Sequence, residues 1–228
     1  MTNLTENTVT NAARMTLLHR IPRDTLDAWA TELSTWTPAD SFRTRIDQIA
    51  RSIPRSIFFR QGGLTFLREA WIASRTACAL QADSVRLVAA QRPDFEVEIG
   101  GQVEQFEATE ADMDGRRRGD EPEWHDMRPD PVEDWRTRFE AIPAALDRVV
   151  TKKLKKEYLP DVSLAIYVNL GCYGAYEKEG LPILRDRTAA ARNKFKRVFV
   201  LWEGSLYKLW ERGRHQFAKR QYADLEDF

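Results

Sequence analysis

Cysteine and histidine are scarce: 228 residues hold two of the first and three of the second. Cys78 sits in an apolar helical pattern and Cys172 follows a strand pattern. With no C-x-x-C and no histidine at ligand spacing, both read as reduced packing residues. His19, His125 and His215 form no H-x-x-x-H or H-E-x-x-H pair, which argues against a zinc site. An excess of charge is missing too, because 35 basic side chains meet 35 acidic ones. Zero formal charge excludes a polycation that coats nucleic acid through bulk charge. No run approaches the roughly 18 apolar residues of a membrane helix. Residues 1–11 are polar and lack the basic start and apolar run of a signal peptide. The expectation is a soluble, cytoplasmic protein with no membrane partner, and the chain carries neither an internal repeat nor a low-complexity tract.

What the chain does hold is core-forming material. It is 43% hydrophobic and 31% charged, with seven tryptophans, a composition that belongs to a folded domain and not to a disordered chain. Its length fits one domain with at most a small appendage. The first fifty residues read as helices over 12–20, 25–33 and 39–51, an N-terminal helical extension assigned to residues 1–55. Residues 56–228 then form the main α/β domain. After a short apolar run at 57–59 and Gly62-Gly63, apolar residues at helical spacing predict a buried helix over 64–80. Strand patterns follow at 85–88, 95–99 and 102–108. An acidic loop spans 112–131, and a helix runs over about 132–158 with Pro143 marking a break, a kink or a new first turn. The segment VSLAIYVNL at 162–170 is the strongest buried-strand signal. A helix over about 184–195 and strands at 198–202 and 206–210 complete a mixed sheet flanked by helices.

Gly100 and Gly101 form a two-residue hairpin loop, which makes Ile99 face Gln102 and fixes the remaining pairs. Phe95 then faces Phe106 and Val97 faces Glu104, while the other face carries Glu96 with Gln105, Glu98 with Val103, and Asp94 opposite Glu107. Like charges set so close destabilise a hairpin, so something must compensate. Two carboxylates at this separation suit a hard divalent cation such as Mg²⁺. A solvated acidic face, or one protonated acid, is the plainer alternative.

Pro93-Asp94, the short hairpin and Glu107-Ala108-Thr109 resemble the core of the PD-(D/E)XK nuclease superfamily, whose motif is an acid on one strand and acid-x-lysine on the next. The similarity covers roughly residues 64–210. It implies a restriction-endonuclease-like fold, with Asp94 and Glu107 holding Mg²⁺ or Mn²⁺ and a lysine orienting or activating the attacking water. Thr109 stands where that lysine belongs and cannot supply its charge. Some members of the superfamily carry the lysine on a neighbouring element. Here Phe139, Ile142, Leu146, Val149 and Val150 form a helical stripe with Lys153 near its centre, so Lys153 points at the sheet. Lys156 lies close to that face, while Lys152 and Lys155 diverge from it. The competing account is a solvated cationic helix end. Glu69, on the 64–80 helix, is either a further acid of the site or a surface residue. Glu110 points to the other face from Glu107, as a partly exposed strand-end acid.

The resemblance thus implies a Mg²⁺-dependent nuclease that hydrolyses phosphodiester bonds, in DNA first, with Asp94, Glu107, Thr109, Lys153 and Lys156 at the site. The alternative is a catalytically inactive nuclease-fold module that binds nucleic acid or a protein partner. A glycosidase is disfavoured, since directly opposed acids leave no room for an intervening water. Acids dominate residues 94–134 and bases dominate 185–220. The latter, interleaved with Trp202, Tyr207, Trp210 and Phe217, either touch a nucleic-acid backbone or are core aromatics with solvated bases around them. Arg116, Arg117 and Arg118 either clamp a phosphate or neutralise neighbouring acids. The N-terminal helices would serve homo-oligomerisation or a protein partner.

Overall fold

The computed structural model describes residues 20–89, 92–118, 132–214 and 217–222. Except for Arg20, the helix expected over 12–20 falls outside these residues, as does the last part of the acidic loop. The described chain runs α1 (Arg23–Leu33), β1 (Thr37–Pro38), α2 (Ala39–Ser52), α3 (Arg55–Arg60) and α4 (Thr65–Leu80). Then come β2 (Ser84–Leu87), β3 (Phe95–Ile99), β4 (Gln102–Ala111), α5 (Val132–Leu154) and β5 (Ser163–Val168). The chain closes with α6 (Glu177–Thr188), a 3₁₀ turn (Ala189–Asn193), β6 (Arg197–Trp202), β7 (Ser205–Glu211) and β8 (Ala218–Gln221).

The strands form one eight-stranded mixed sheet in sequential order, so the protein is of the α/β class. β4, β5 and β6 are parallel, and every other neighbouring pair is antiparallel. That pattern follows from the connections. Gly100 (φ 56°) and Gly101 (φ 75°) turn β3 back on β4, whereas β4 reaches β5 only after crossing through α5.

Strand alternation sends side chains into two apolar layers. Phe95, Val97, Phe106, Ala108, Ala165 and Phe199 pack on one face with α4. Leu26, Leu33, Phe42, Ile46 and Ile49 of α1 and α2 belong to that same cluster, and β1 pairs with β2 at the sheet edge. The residues before 56 therefore share a core with the sheet. On the opposite face Leu164, Ile166, Val168, Val198 and Val200 meet Phe139, Ile142, Leu146, Val149 and Val150 of α5 and Leu184 of α6.

Several boundaries differ from the sequence reading. The helix α5 continues through Pro143, because one missing donor does not outweigh a stripe of buried packing residues. It ends at Leu154 rather than 158. The helix α6 starts at Glu177, well before the expected 184, and likewise runs through Pro182. The short apolar run at 57–59 is helical, within α3. Among the described residues no helix is long and apolar enough to cross a membrane.

Candidate active site

The strand β4 is twice as long as β3: the ladder pairs Phe95 with Phe106 through to Ile99 with Gln102, in the register expected from the glycine turn. Beyond Phe106 the far half of β4 has β5 on one side only. Asp94 sits at this notch. It lies just outside the ladder and is not a strict cross-strand partner of Glu107, as the index sum implied. Its backbone N–H donates to the Phe106 carbonyl at 2.9 Å. Its carboxylate Oδ2 accepts the Ala108 N–H at 2.7 Å, taking the place of a backbone partner for the uncovered edge.

Glu107 follows on β4 and points toward α5, where it is 1% exposed. The side chain that meets it is Lys153, in the last turn of α5 and itself buried. Lys153 Nζ donates to Glu107 Oε2 at 2.7 Å and stands 3.5 Å from Asp94 Oδ2. The ammonium is thus the compensating charge that two adjacent carboxylates require, delivered by the apolar stripe that docks α5. Thr109 lies two residues further along β4, on the same face and half-buried, and supplies no charge. Lys156 is half-buried just past α5, and its charge reaches Glu107.

Burial sets the electrostatics of the cluster. It pushes the Glu107 carboxyl above its ordinary range, with Asp94 adding repulsion, while the Lys153 hydrogen bond and the charge of Lys156 pull it back. Glu69, half-buried on α4, is pushed up to about 7 by burial first and by the Asp94 charge second. The site acids are therefore three in electrostatic terms, although Glu69 forms no ion pair with Lys153 among the described residues. Tyr158 is a member that the sequence reading missed. Burial raises its pKa, and so do the charges of Glu107 and Asp94, which keeps the hydroxyl protonated. Its hydroxyl and Glu107 Oε1 are both buried without a hydrogen-bond partner. No periodicity in the sequence carries Tyr158 to the site, because it follows the helix in an irregular segment.

Two carboxylates that converge on one ammonium, with one buried oxygen left over, match what a hard divalent cation asks of its ligands. Asp94 and Glu107 are the residues that would hold it. Among the described residues no group of three or more His, Cys, Asp or Glu side chains is placed to hold a metal ion, so the remaining ligands would be backbone or solvent oxygens.

The other charged residues singled out in the sequence have partners elsewhere. Glu96 accepts from Arg86 at 2.8 and 2.9 Å and from Gln105 at 2.9 Å, and Glu98 accepts from Ser84. Glu110 is the partly exposed strand-end acid expected, and it is held in place: Arg118 grips both of its oxygens at 2.6 Å, and Asn169 donates to it at 2.9 Å. Arg116 and Arg118 also pair with Asp112, so these two arginines neutralise acids. Trp202 and Tyr207 are buried in the core, and Trp210 lies under Arg185 and Arg192 while donating to Thr188 at 3.0 Å. Of the four aromatics near the C-terminus, Phe217 is the exposed one. Comparison of the chain with protein-family models, curated proteins and solved structures returned no match.

Proposed function

We propose that the protein is a Mg²⁺-dependent nuclease with a restriction-endonuclease-like sheet, which hydrolyses phosphodiester bonds in DNA. One observation carries the reading: Lys153 Nζ lies between the carboxylates of Glu107 and Asp94, while Glu107 Oε1 is buried and unpartnered. The arrangement resembles the acid pair and lysine of that superfamily, with the lysine coming from the following helix instead of from position 109. A divalent cation at such a site supplies positive charge to phosphate oxygens and acidifies water. Asp94 and Glu107 would hold the cation. Lys153 returns the charge that Thr109 lacks, and from its place beside both acids it orients the attacking water and offsets charge that develops on the phosphate. The N–H of Ala108 fixes one Asp94 oxygen and so its direction.

A second reading has its own observation. The Lys153 ammonium already neutralises both acids, as an internal cation would in a nuclease-fold module that binds nucleic acid or a protein without cutting. Manganese binding, followed by electron paramagnetic resonance, separates the two. The nuclease reading requires the wild type to bind Mn²⁺ and Glu107→Gln to lose it; a wild type that binds none selects the second reading.

A further inference from the structure

Cations across much of this protein are cancelled by carboxylates: Arg86 by Glu96, Arg118 by Glu110, Arg197 by Glu104 and Glu211. Around the turn that leaves α5 they are not. Arg92 Nη1 donates to the Glu157 carbonyl, and Lys194 Nζ donates to the Leu154 carbonyl at 2.7 Å. Arg212 donates to the Pro160 carbonyl at 3.0 Å and to the Lys194 carbonyl at 3.3 Å. Among the described residues none of the three forms an ion pair. The acids of the turn, Glu157 and Asp161, are exposed and form none either. A carbonyl orients a cation without removing its charge, so the turn presents three aimed positive charges that remain net positive.

Tyr158 holds two of them in place. Arg92 lies over its ring at 5.3 Å from the centroid and Lys194 Nζ at 5.6 Å, with Phe195 packed 4.9 Å away. Holding long side chains in position before a ligand arrives lowers the entropy lost on binding. The turn also adjoins the acid pair. Lys153 and Lys156 lead into it, and the Tyr158 hydroxyl is within electrostatic reach of Glu107 and Asp94.

We propose that this turn is the strand-binding side of the site, where Arg92, Lys194 and Arg212 receive phosphates of a nucleic-acid strand adjacent to the one held at Asp94 and Glu107. The assignment rests on the nuclease reading and deepens it. Two guanidinium forks and one ammonium match phosphate oxygens in geometry and in charge. Arg187, Arg197, Lys208 and Lys219 of the C-terminal third would contribute less, because carboxylates already pair with them.

The test is fluorescence anisotropy of labelled single-stranded and duplex oligonucleotides in EDTA, so that nothing is cut, between about 50 and 200 mM salt. Arg92→Gln, Lys194→Gln and Arg212→Gln are compared with wild type, with Arg212→Lys, and with Lys178→Gln, an exposed position on α6 that removes the same net charge. Thermal melts confirm that each variant is folded. Each of the first three should weaken binding and flatten the slope of log K against log salt by about 0.7 to 0.9. Arg212→Lys should keep the slope, and Lys178→Gln should bind as wild type. If the wild type binds but the three variants keep its affinity and slope, the strand-binding assignment falls while the nuclease reading stands. If the wild type binds neither single strand nor duplex in EDTA, the strand-binding assignment falls as well, and the nuclease reading is decided separately by cleavage in Mg²⁺ and Mn²⁺.

Discussion

Lys153 is the residue on which the site turns, and its removal has a cost that can be separated from chemistry. Lys153→Met leaves Glu107 buried beside Asp94 with no cation, and breaking a buried pair costs about 3 to 5 kcal/mol. Neutralising Glu107 as well removes the stranded charge. The double variant Glu107→Gln/Lys153→Met should therefore be more stable than Lys153→Met alone, as read from denaturant midpoints at neutral pH. Glu69 gives a pH-dependent prediction. Its carboxyl is raised from 4.5 to about 7, so between those values the folded state binds more protons than the unfolded one. Stability from this group then falls as pH rises through the window. Glu69→Gln should raise the melting temperature at pH 8 and change it little at pH 4; equal shifts at both would refute the assignment. Lys153 was legible in the sequence because a helix stripe with a known partner sheet fixes where each side chain points. The grip of Arg118 on Glu110 was not, because it joins a strand end to a loop that has no periodicity.

At the level of elements, the β3–β4 hairpin was readable to the register, since two glycines at positive φ leave one way to pair the strands. Gly101→Ala should destabilise the protein by about 1 to 2 kcal/mol, the cost of a left-handed residue with a Cβ, measured by urea denaturation. The helix α6 shows what the sequence could not give. Its Gly180 lowers helix propensity, yet a Cβ there would stand 2.4 and 2.6 Å from Trp202 ring atoms. Gly180→Ala gains helix propensity but must displace a buried indole, so it should destabilise by about 1 to 3 kcal/mol and not stabilise. The edge strands β1 and β8 escaped notice because they are short and largely exposed, with no buried face to impose alternation.

For the whole molecule, the alternation of strands and helices announced an α/β chain, and the continuous run at 162–170 announced a central strand covered on both faces. The packing of the N-terminal helices was hidden, because an amphipathic helix does not state which surface it covers. Phe42, Ile46 and Ile49 cover the α4 side of the sheet. Deleting residues 1–55 would expose that layer, so the truncated chain should lose its cooperative thermal transition by circular dichroism; a sharp melt near that of the full chain would show that residues 56–228 fold alone. Neutral overall charge likewise concealed a local arrangement in which the buried Glu107 on β4 and the half-buried Asp94 share Lys153 next to a turn whose Lys194 and Arg212 bond to carbonyls.

The most direct measurement is cleavage of a panel of labelled duplex and single-stranded DNA and RNA by the full chain in Mg²⁺ and in Mn²⁺, with EDTA as control. The account predicts metal-dependent cutting of DNA that Asp94→Asn and Glu107→Gln abolish and that Lys153→Met lowers by about 10²- to 10³-fold in folded protein. Absence of cutting by the wild type under every condition, or cutting that survives both acid substitutions, would contradict it.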